Sequence, residues 1–344
     1  TSVYGDNLVY FLREYASLAS FNRKIHVLNP KQVKKFKDAY NDLPKNDFVD
    51  SFVIADCLRF GRINKEVYFA DYRYKALQNL TRARYFAVCN LTKEKQRFMN
   101  LLFKKYSTMT QEKVFSNTFS TTALAVYDEF ESAEALAYMD LHELTEFIVD
   151  KGKNRFPDPD SVAKAIQKAA RSSYRLPKTV NDSVNQVLSI SITSIKALET
   201  QIKEFDKAIS AQMELLPNVL TSVPGIGPVL SAGIVAEIGD INRFENQAGL
   251  AKYAGLAWTQ HQSGNFEAES TRLICSGNRF LKYYLCEAAF SLVRCDKEYS
   301  RFYHLKYNEV NRCQHKRALA LTARKFVRLV FTLLKDNRLY RAAD

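Results

Sequence analysis

From Val184 to Leu216 apolar residues recur at alternating spacings of three and four: Val184, Leu188, Ile195, Leu198, Ile202, Phe205, Ile209 and Leu216, with Ser191 and Gln212 as polar exceptions. That alternation keeps one stripe on one helix face and predicts a coiled coil or long helical hairpin ending at Pro217. A plain amphipathic helix packed on its own domain also fits; the expectation adopted is a coil that dimerises or joins domains. A second long helical pattern covers Tyr72 to Tyr106, with Arg82, Arg84, Lys93, Lys95, Arg97, Lys104 and Lys105 on a basic polar face.

The chain opens on a helical pattern (Leu8, Val9, Phe11, Leu12, Tyr15), followed by a short β-type run, Lys24–Leu28. Asn29-Pro30 then opens a basic helix with Lys31, Lys34, Lys35 and Lys37. Strand followed by helix argues for an α/β domain, whose remaining strands would lie upstream of Thr1. Asn46 or Asp47 can cap a helix carrying Phe48, Val49, Phe52, Val53 and Leu58. Residues 110 to 180 read as short helices broken by loops at Asn154–Pro159 and Arg175–Lys178. Beyond Pro217 the chain is almost wholly helical, with helices near Pro228–Ile238 and Cys313–Lys335; the last sets Leu319, Phe326, Val330 and Leu333 on one face and Arg317, Arg324, Arg328 and Lys335 on another. The segments expected are 1–110 (α/β), 111–217 (helical and coiled coil) and 218–344 (mainly α).

Charge narrows the partners. Lys and Arg number 50 against 37 Asp and Glu, a formal net charge of +13. Such an excess attracts polyanions, nucleic acid first and an anionic membrane surface second. No run of about 18 apolar residues is present, and Thr1-Ser-Val-Tyr-Gly-Asp lacks a basic and then apolar leader pattern, so a cytosolic protein without membrane association is expected. The six cysteines form no C-x-x-C pair and no metal-ligand spacing with the five histidines; buried free thiols in a reducing compartment are expected.

Val223-Pro-Gly-Ile-Gly-Pro-Val-Leu-Ser231 sets two glycines around one apolar residue, the signature of a helix-hairpin-helix. Gly225 and Gly227 at φ > 0 would gather backbone N–H groups at a helix start, an arrangement that suits DNA phosphate; a tight turn without ligand fits equally. Asp47 and Asp50, at i and i+3, share one helix face and can hold Mg²⁺ through oxygen, although acidic residues in a first turn often serve only the helix dipole. Asp56, half a revolution from Asp47, points elsewhere. Ser263, in the polar loop His261-Gln-Ser-Gly-Asn265, is an exposed hydroxyl or a turn residue.

Several motifs in one order resemble the IS110 family of insertion-sequence transposases, the Piv/MooV-type DEDD recombinases. They are Tyr4-Gly-Asp-Asn-Leu-Val-Tyr-Phe-Leu12, His26-Val-Leu-Asn-Pro30 with Val33-Lys-Lys-Phe36, Asn46-Asp47 to Asp50-Ser51, the Val223–Pro228 turn, Phe244, Tyr253-Ala-Gly-Leu256, Gln262-Ser-Gly264, Gly277-Asn-Arg279, Arg324-Lys-Phe-Val327 and Leu333-Leu-Lys335. The resemblance implies an N-terminal RuvC-like (RNase H-fold) domain, a coiled-coil segment and a C-terminal transposase domain. It implies a composite site in which Asp47 and Asp50, the last two acidic residues of the set, hold Mg²⁺ and Ser263 is the nucleophile. The implied partners are DNA, a structured bridge RNA and further copies of the chain as a dimer or tetramer. The family's first Asp and its Glu would lie upstream of Thr1. Here Thr-Asp has become Asn46-Asp47 and the following Ala is Ser51; neither change removes a carboxylate.

The expected activity is therefore cutting and rejoining of mobile DNA, in a bacterial or archaeal cytoplasm and nucleoid. Gly225, Gly227, Arg279, Arg317, Arg324 and Arg328 are the expected DNA-contacting residues. Two rivals are a RuvC-like nuclease hydrolysing DNA junctions with water and no serine, and a DNA-binding protein without catalysis.

Overall fold

The computed structural model describes residues 3–15, 24–40, 42–61, 63, 71–112, 114–216, 218–259, 262–263, 266–267 and 272–342, with backbone only at 3–4, 262–263 and 266–267. The chain divides into two units, residues 1–70 and 71–344.

The first unit holds α1 (Val3–Glu14), α2 (Pro30–Lys37) and α3 (Asp47–Arg59). Asn29 caps α2 through Lys31 N, and Asn46, not Asp47, caps α3 by accepting from Val49 N at 2.8 Å. Helices α2 and α3 pack together through edge-on rings, Phe36 on Tyr40 and Phe60, and Tyr40 on Phe52. Lys24–Leu28 is not a strand: a strand's N–H and C=O groups need a neighbouring strand, and none is present among the described residues of this unit.

The second unit is built on two long helices, α4 (Tyr72–Lys105) and α10 (Lys178–Met213). They run antiparallel: Leu77 packs with Ile209 and Met213, Arg84 pairs with Asp206, Lys95 Nζ meets Glu199 Oε1 at 2.6 Å, and nearer the other end Phe98 and Leu102 share a core with Leu188 and Val184. The heptad stripe thus finds its partner within its own chain, because α4 offers a complementary face. Ser191, the polar break in the stripe, donates to Glu94 Oε1 at 2.7 Å. The helix ends at Met213; Pro217 lies outside the described residues. The basic polar face of α4 is partly internal. Arg82 and Arg84 reach carboxylates on other helices, and Lys105 is buried, its Nζ donating to the Tyr127 carbonyl at 2.9 Å.

Between these helices lie α5 (Ser107–Gln111), α6 (Thr121–Glu129), α7 (Ala133–Tyr138), α8 (Leu141–Gly152) and α9 (Pro159–Arg171). Together they bury Tyr106, Leu136, Leu144, Ile148 and Ile166 against α4 and α10; each such side chain contributes about 1.5–3 kcal/mol. A second core joins α11 (Pro228–Ile238), α12 (Gln247–Tyr253), α13 (Arg279–Cys295), α14 (Lys297–Asn308) and α15 (Gln314–Asp336) around Ile234, Leu250, Leu281, Leu285, Phe326 and Val330. The only strands among the described residues are β1 (Gln262–Ser263) and β2 (Phe266–Glu267). No described helix is long and apolar enough to cross a membrane.

The glycine turn departs from expectation in two ways. What precedes it is one 3-10 turn, Leu220–Ser222, rather than an α-helix. Only Gly225 has positive φ, +81°; Gly227 is the N-cap of α11 in ordinary extended backbone, φ −78° and ψ 173°. Gly225 lies against α13: its carbonyl accepts from Ser291 Oγ at 2.7 Å, and a Cβ there would meet Cys295 Sγ and Ser291 Oγ at 2.9 Å. The turn docks one helix onto another. All six cysteines are free, but only Cys57 is buried; Cys275, Cys295 and Cys313 are exposed because they stand in loops or at helix ends facing solvent.

Two outcomes are expected. Gly225→Ala meets both positive φ and two close side-chain atoms and should lower unfolding stability by about 2 kcal/mol or more, whereas Gly227→Ser should change it by less than about 0.5 kcal/mol in the same denaturant titration. Burial pushes the Lys105 ammonium down to about 8, against an ordinary 10.5. The unfolded chain therefore binds more protons than the folded one between these values, so stability rises with pH across that window. Relative to Lys105→Met, the native protein should gain about 2 kcal/mol between roughly pH 7.5 and 9.5; a flat difference would mean Lys105 is not buried as an ammonium.

Candidate active site and nucleic-acid interface

Asp47 opens α3 and is exposed; Asp50, one turn on, is half-buried. Lys37, from the last turn of α2, places Nζ 2.6 Å from Asp50 Oδ1 and 3.2 Å from the Pro44 carbonyl. The α2–α3 packing thus sets one ammonium beside one of the two carboxylates, at the edge of a cavity of about 1110 Å³ that Lys34, Leu8, Val33 and Ile54 also line. Asp56 is buried and committed elsewhere, accepting from Tyr40 Oη and, at 2.7 Å, from Arg59 Nε.

Among the described residues no three His, Cys, Asp or Glu side chains gather as a metal site. Two carboxylates on one helix face still fit a hard divalent ion in part, since Mg²⁺ is commonly held by one or two protein carboxylates with water and phosphate oxygens completing six. Lys37 competes for the Asp50 oxygen, so an ion there has to displace or share it.

Ser263 belongs to the second unit, and its backbone lies in a strand rather than a loop: Gln262 pairs with Glu267 and Ser263 with Phe266, antiparallel. Its side chain, with His261, Gly264 and Asn265, lies outside the described residues. Closer to the core the two limbs of this arm are paired again. Trp258 bridges Leu273, Thr259 N donates to the Arg272 carbonyl at 2.8 Å, and Ile274 N to the Ala257 carbonyl at 2.9 Å.

At the base of the arm the limbs cross backbone to backbone. Gly255 has φ +72° and Gly277 φ +128°; a Cβ on Gly277 would stand 2.6 Å from Gly255 N and Cα. Here glycine is required by conformation and by space. Asn278 then ties the arm down. Its N–H donates to the Tyr253 carbonyl at 2.7 Å, and its Oδ1 caps α13 through Phe280 N and Leu281 N. Its Nδ2 donates to Tyr253 Oη at 3.1 Å and to Glu237 Oε2 at 2.6 Å.

Glu237 is 1% exposed on α11 and also accepts from Arg82 Nε at 2.7 Å and Nη2 at 2.9 Å, and from Gln78 Nε2 at 3.2 Å, both on α4. Sequence reasoning passed over Glu237, although it is the one charged residue in Pro228–Ile238, an otherwise apolar helix, which is itself the signal of a satisfied buried charge. Ser276, beside Gly277, sits at the neck of the arm and not out along it.

The expected DNA-contacting arginines fall into different settings. Arg279, first residue of α13, lies over the Phe280 ring at 4.7 Å and the Phe86 ring at 5.5 Å. Arg317 on α15 is spent on Glu309 (2.9 Å) and the Lys306 carbonyl (3.1 Å). Arg324 has a buried Nη1 with no partner among the described residues; burial, then the like charge of Arg328, pushes its guanidinium below the usual value. Arg328 is exposed one turn further.

Known proteins align with these same segments. Residues 218–304 match the family profile described as Transposase IS116/IS110/IS902 family, and residues 1–106 match a DEDD transposase profile of the IS110 type. The chain is 27% identical, over 95% of its length and 80% of the relative's, to the 44.8 kDa protein of insertion element IS116 from Streptomyces clavuligerus. It is 30% identical to the 43.6 kDa protein of insertion element IS110 from Streptomyces coelicolor over 51% of this chain and 46% of that one. To the transposase for insertion sequence element IS1111A from Coxiella burnetii it is 28% identical, over 43% of each chain. With the Asp47/Asp50 helix inside one matched segment and the Ser263 arm inside the other, the chain belongs to the IS110 family of insertion-sequence transposases, enzymes of DNA recombination.

Proposed function

We propose that this transposase cuts and rejoins DNA through a composite site in which the first unit, a RuvC-like domain, supplies Asp47 and Asp50 and the second supplies Ser263 as nucleophile. The observation that carries this reading is the Ser263 strand: a serine at the far part of a paired arm whose root is fixed by Gly255, Gly277 and Asn278. An ordinary loop serine has no need of such an anchor.

A serine hydroxyl is a weak nucleophile at its own pKa and needs activation. Bound Mg²⁺, held by Asp47 and Asp50, would supply charge stabilisation for the attacking and leaving oxygens. Ser263 Oγ loses its proton and bonds to phosphorus as the bond from phosphorus to a deoxyribose oxygen breaks; that oxygen takes a proton and leaves as a hydroxyl. Attack by a hydroxyl of the incoming strand reverses the exchange, releases serine and reseals the backbone. Lys37, already at Asp50, is placed to meet the phosphate charge that replaces it. Arg324 and Arg328 bind phosphate, since the buried Nη1 of Arg324 gains an acceptor there. A structured bridge RNA chooses the DNA by base pairing, as in other guided systems, and the site is assembled in a dimer or tetramer.

Ser263→Ala should abolish the covalent protein–DNA adduct and recombination while leaving DNA and RNA retention in gel shifts intact; Ser276→Ala should keep the adduct. An adduct that survives Ser263→Ala and vanishes in Ser276→Ala overturns the residue assignment. Asp47→Asn and Asp50→Asn should each abolish strand cleavage without loss of binding. Magnesium-dependent cleavage with no adduct would favour hydrolysis instead. With a net charge of +13, affinity for DNA should fall by an order of magnitude or more from about 50 to 200 mM salt.

A further inference from the structure

We infer that Glu237 is the positioning residue of the Ser263 arm: a buried carboxylate on α11 that, through Asn278, clamps the root of the arm and so fixes where the serine stands. The inference rests on the reading of Ser263 as nucleophile for its catalytic consequence, but the clamp is argued from contacts alone.

Four donor atoms converge on the two oxygens of Glu237: Arg82 Nε and Nη2, Gln78 Nε2 and Asn278 Nδ2. The first three belong to α4, one of the two long helices on which the unit is built. The fourth is the residue that ends the arm and begins α13. A buried carboxylate needs a cation and filled lone pairs to be tolerated; Arg82 and Gln78 supply these on one side. The contact from Asn278 is therefore the link by which the charge, anchored to the scaffold, holds the arm.

Asn278 is also bonded to Tyr253, the last residue before the arm, by main chain and side chain. Both limbs are thus fixed where they leave the core. At this point Gly255 and Gly277 lie in van der Waals contact, so a small rotation at Asn278 alters the direction in which both limbs depart. The segments paired next to it, Ala257–Thr259 with Arg272–Ile274, share that change of direction, and the strand of Ser263 belongs to the same arm. Glu237 touches no substrate; it acts through Asn278.

The chain contains one tryptophan, Trp258, half-buried on the paired base of the arm. Its emission reports the arm without any assay of activity. Asn278→Asp keeps an N-cap acceptor for α13 but replaces the donor facing Glu237 with a second carboxylate. We expect red-shifted Trp258 emission and hydrogen exchange at the Thr259 and Ile274 amides faster by about tenfold or more, with α4 and α10 amides unchanged. The rate of adduct formation at saturating DNA should fall, with the DNA concentration at half-saturation unchanged.

The double variant Glu237→Gln with Asn278→Asp restores a donor facing an acceptor and should recover emission, exchange and adduct rate together. Glu237→Gln alone keeps one oxygen that can accept from Asn278 Nδ2 and should loosen the arm less than Asn278→Asp does. A tight arm in Asn278→Asp, or a double variant no better than the single, overturns the clamp. A loosened arm alongside an adduct that survives Ser263→Ala would leave the clamp standing and remove the nucleophile assignment instead.

Discussion

The second unit depends on a charge buried where charges are costly. Helix α11 is apolar apart from Ser231 and Glu237 and packs against α4, α10 and α13. Into this helix the sequence puts Glu237, which would be expelled from such a site without compensation. Compensation comes from Gln78 and Arg82, one turn apart on α4, and from Asn278, far from both in sequence. The cost of burying an ion is thereby turned into specificity: α4, α11 and α13 meet in the one register that satisfies the carboxylate. Tyr284 strengthens the same register, its Oη donating to the Thr81 carbonyl at 2.7 Å from α13 to α4.

The helical part of this fold was largely legible, because 3.6-residue periodicity and caps are local properties. Pro228–Ile238 appears with its predicted limits, and α15 and α4 lie within a residue or so of theirs. What the heptad stripe of α10 could not tell was its partner. An apolar stripe states that it is covered and not by what; the covering face on α4 begins about a hundred residues earlier. The basic face of α4 misled for a related reason. Arg84 and Lys95 read in sequence only as members of a basic polar face, and only folding brings Asp206 and Glu199 opposite them. Lys24–Leu28 shows the converse limit, since β propensity cannot provide a partner strand.

Legibility of the candidate site follows the same division. The i, i+3 spacing of Asp47 and Asp50 is local and could be read directly, but the Lys37 ion pair comes from another helix and could not. Gly225 and Gly227 looked equivalent as letters. In the folded chain one is a left-handed residue pressed against α13 and the other an ordinary N-cap, because a glycine records permission for a backbone conformation and not its use. Ser263 was reachable only through the motif around it. Its setting in an arm depends on pairings between residues 257–259 and 272–274 that no short window contains.

The arrangement also separates two physical demands. A serine proposed to reach a large, variable polyanion benefits from standing on a narrow element, yet a narrow element has little core of its own to hold it still: a two-stranded ribbon alone is marginal in water. The rigidity has to be imported at its root. Two glycines allow the limbs to touch, Asn278 joins them to Tyr253, and a buried carboxylate fastens the junction to α4, one of the two long helices of the unit. Replacing either neck glycine would force the limbs apart before any residue of the arm itself was altered, so tolerance to substitution should be lowest at the root, where no chemistry occurs.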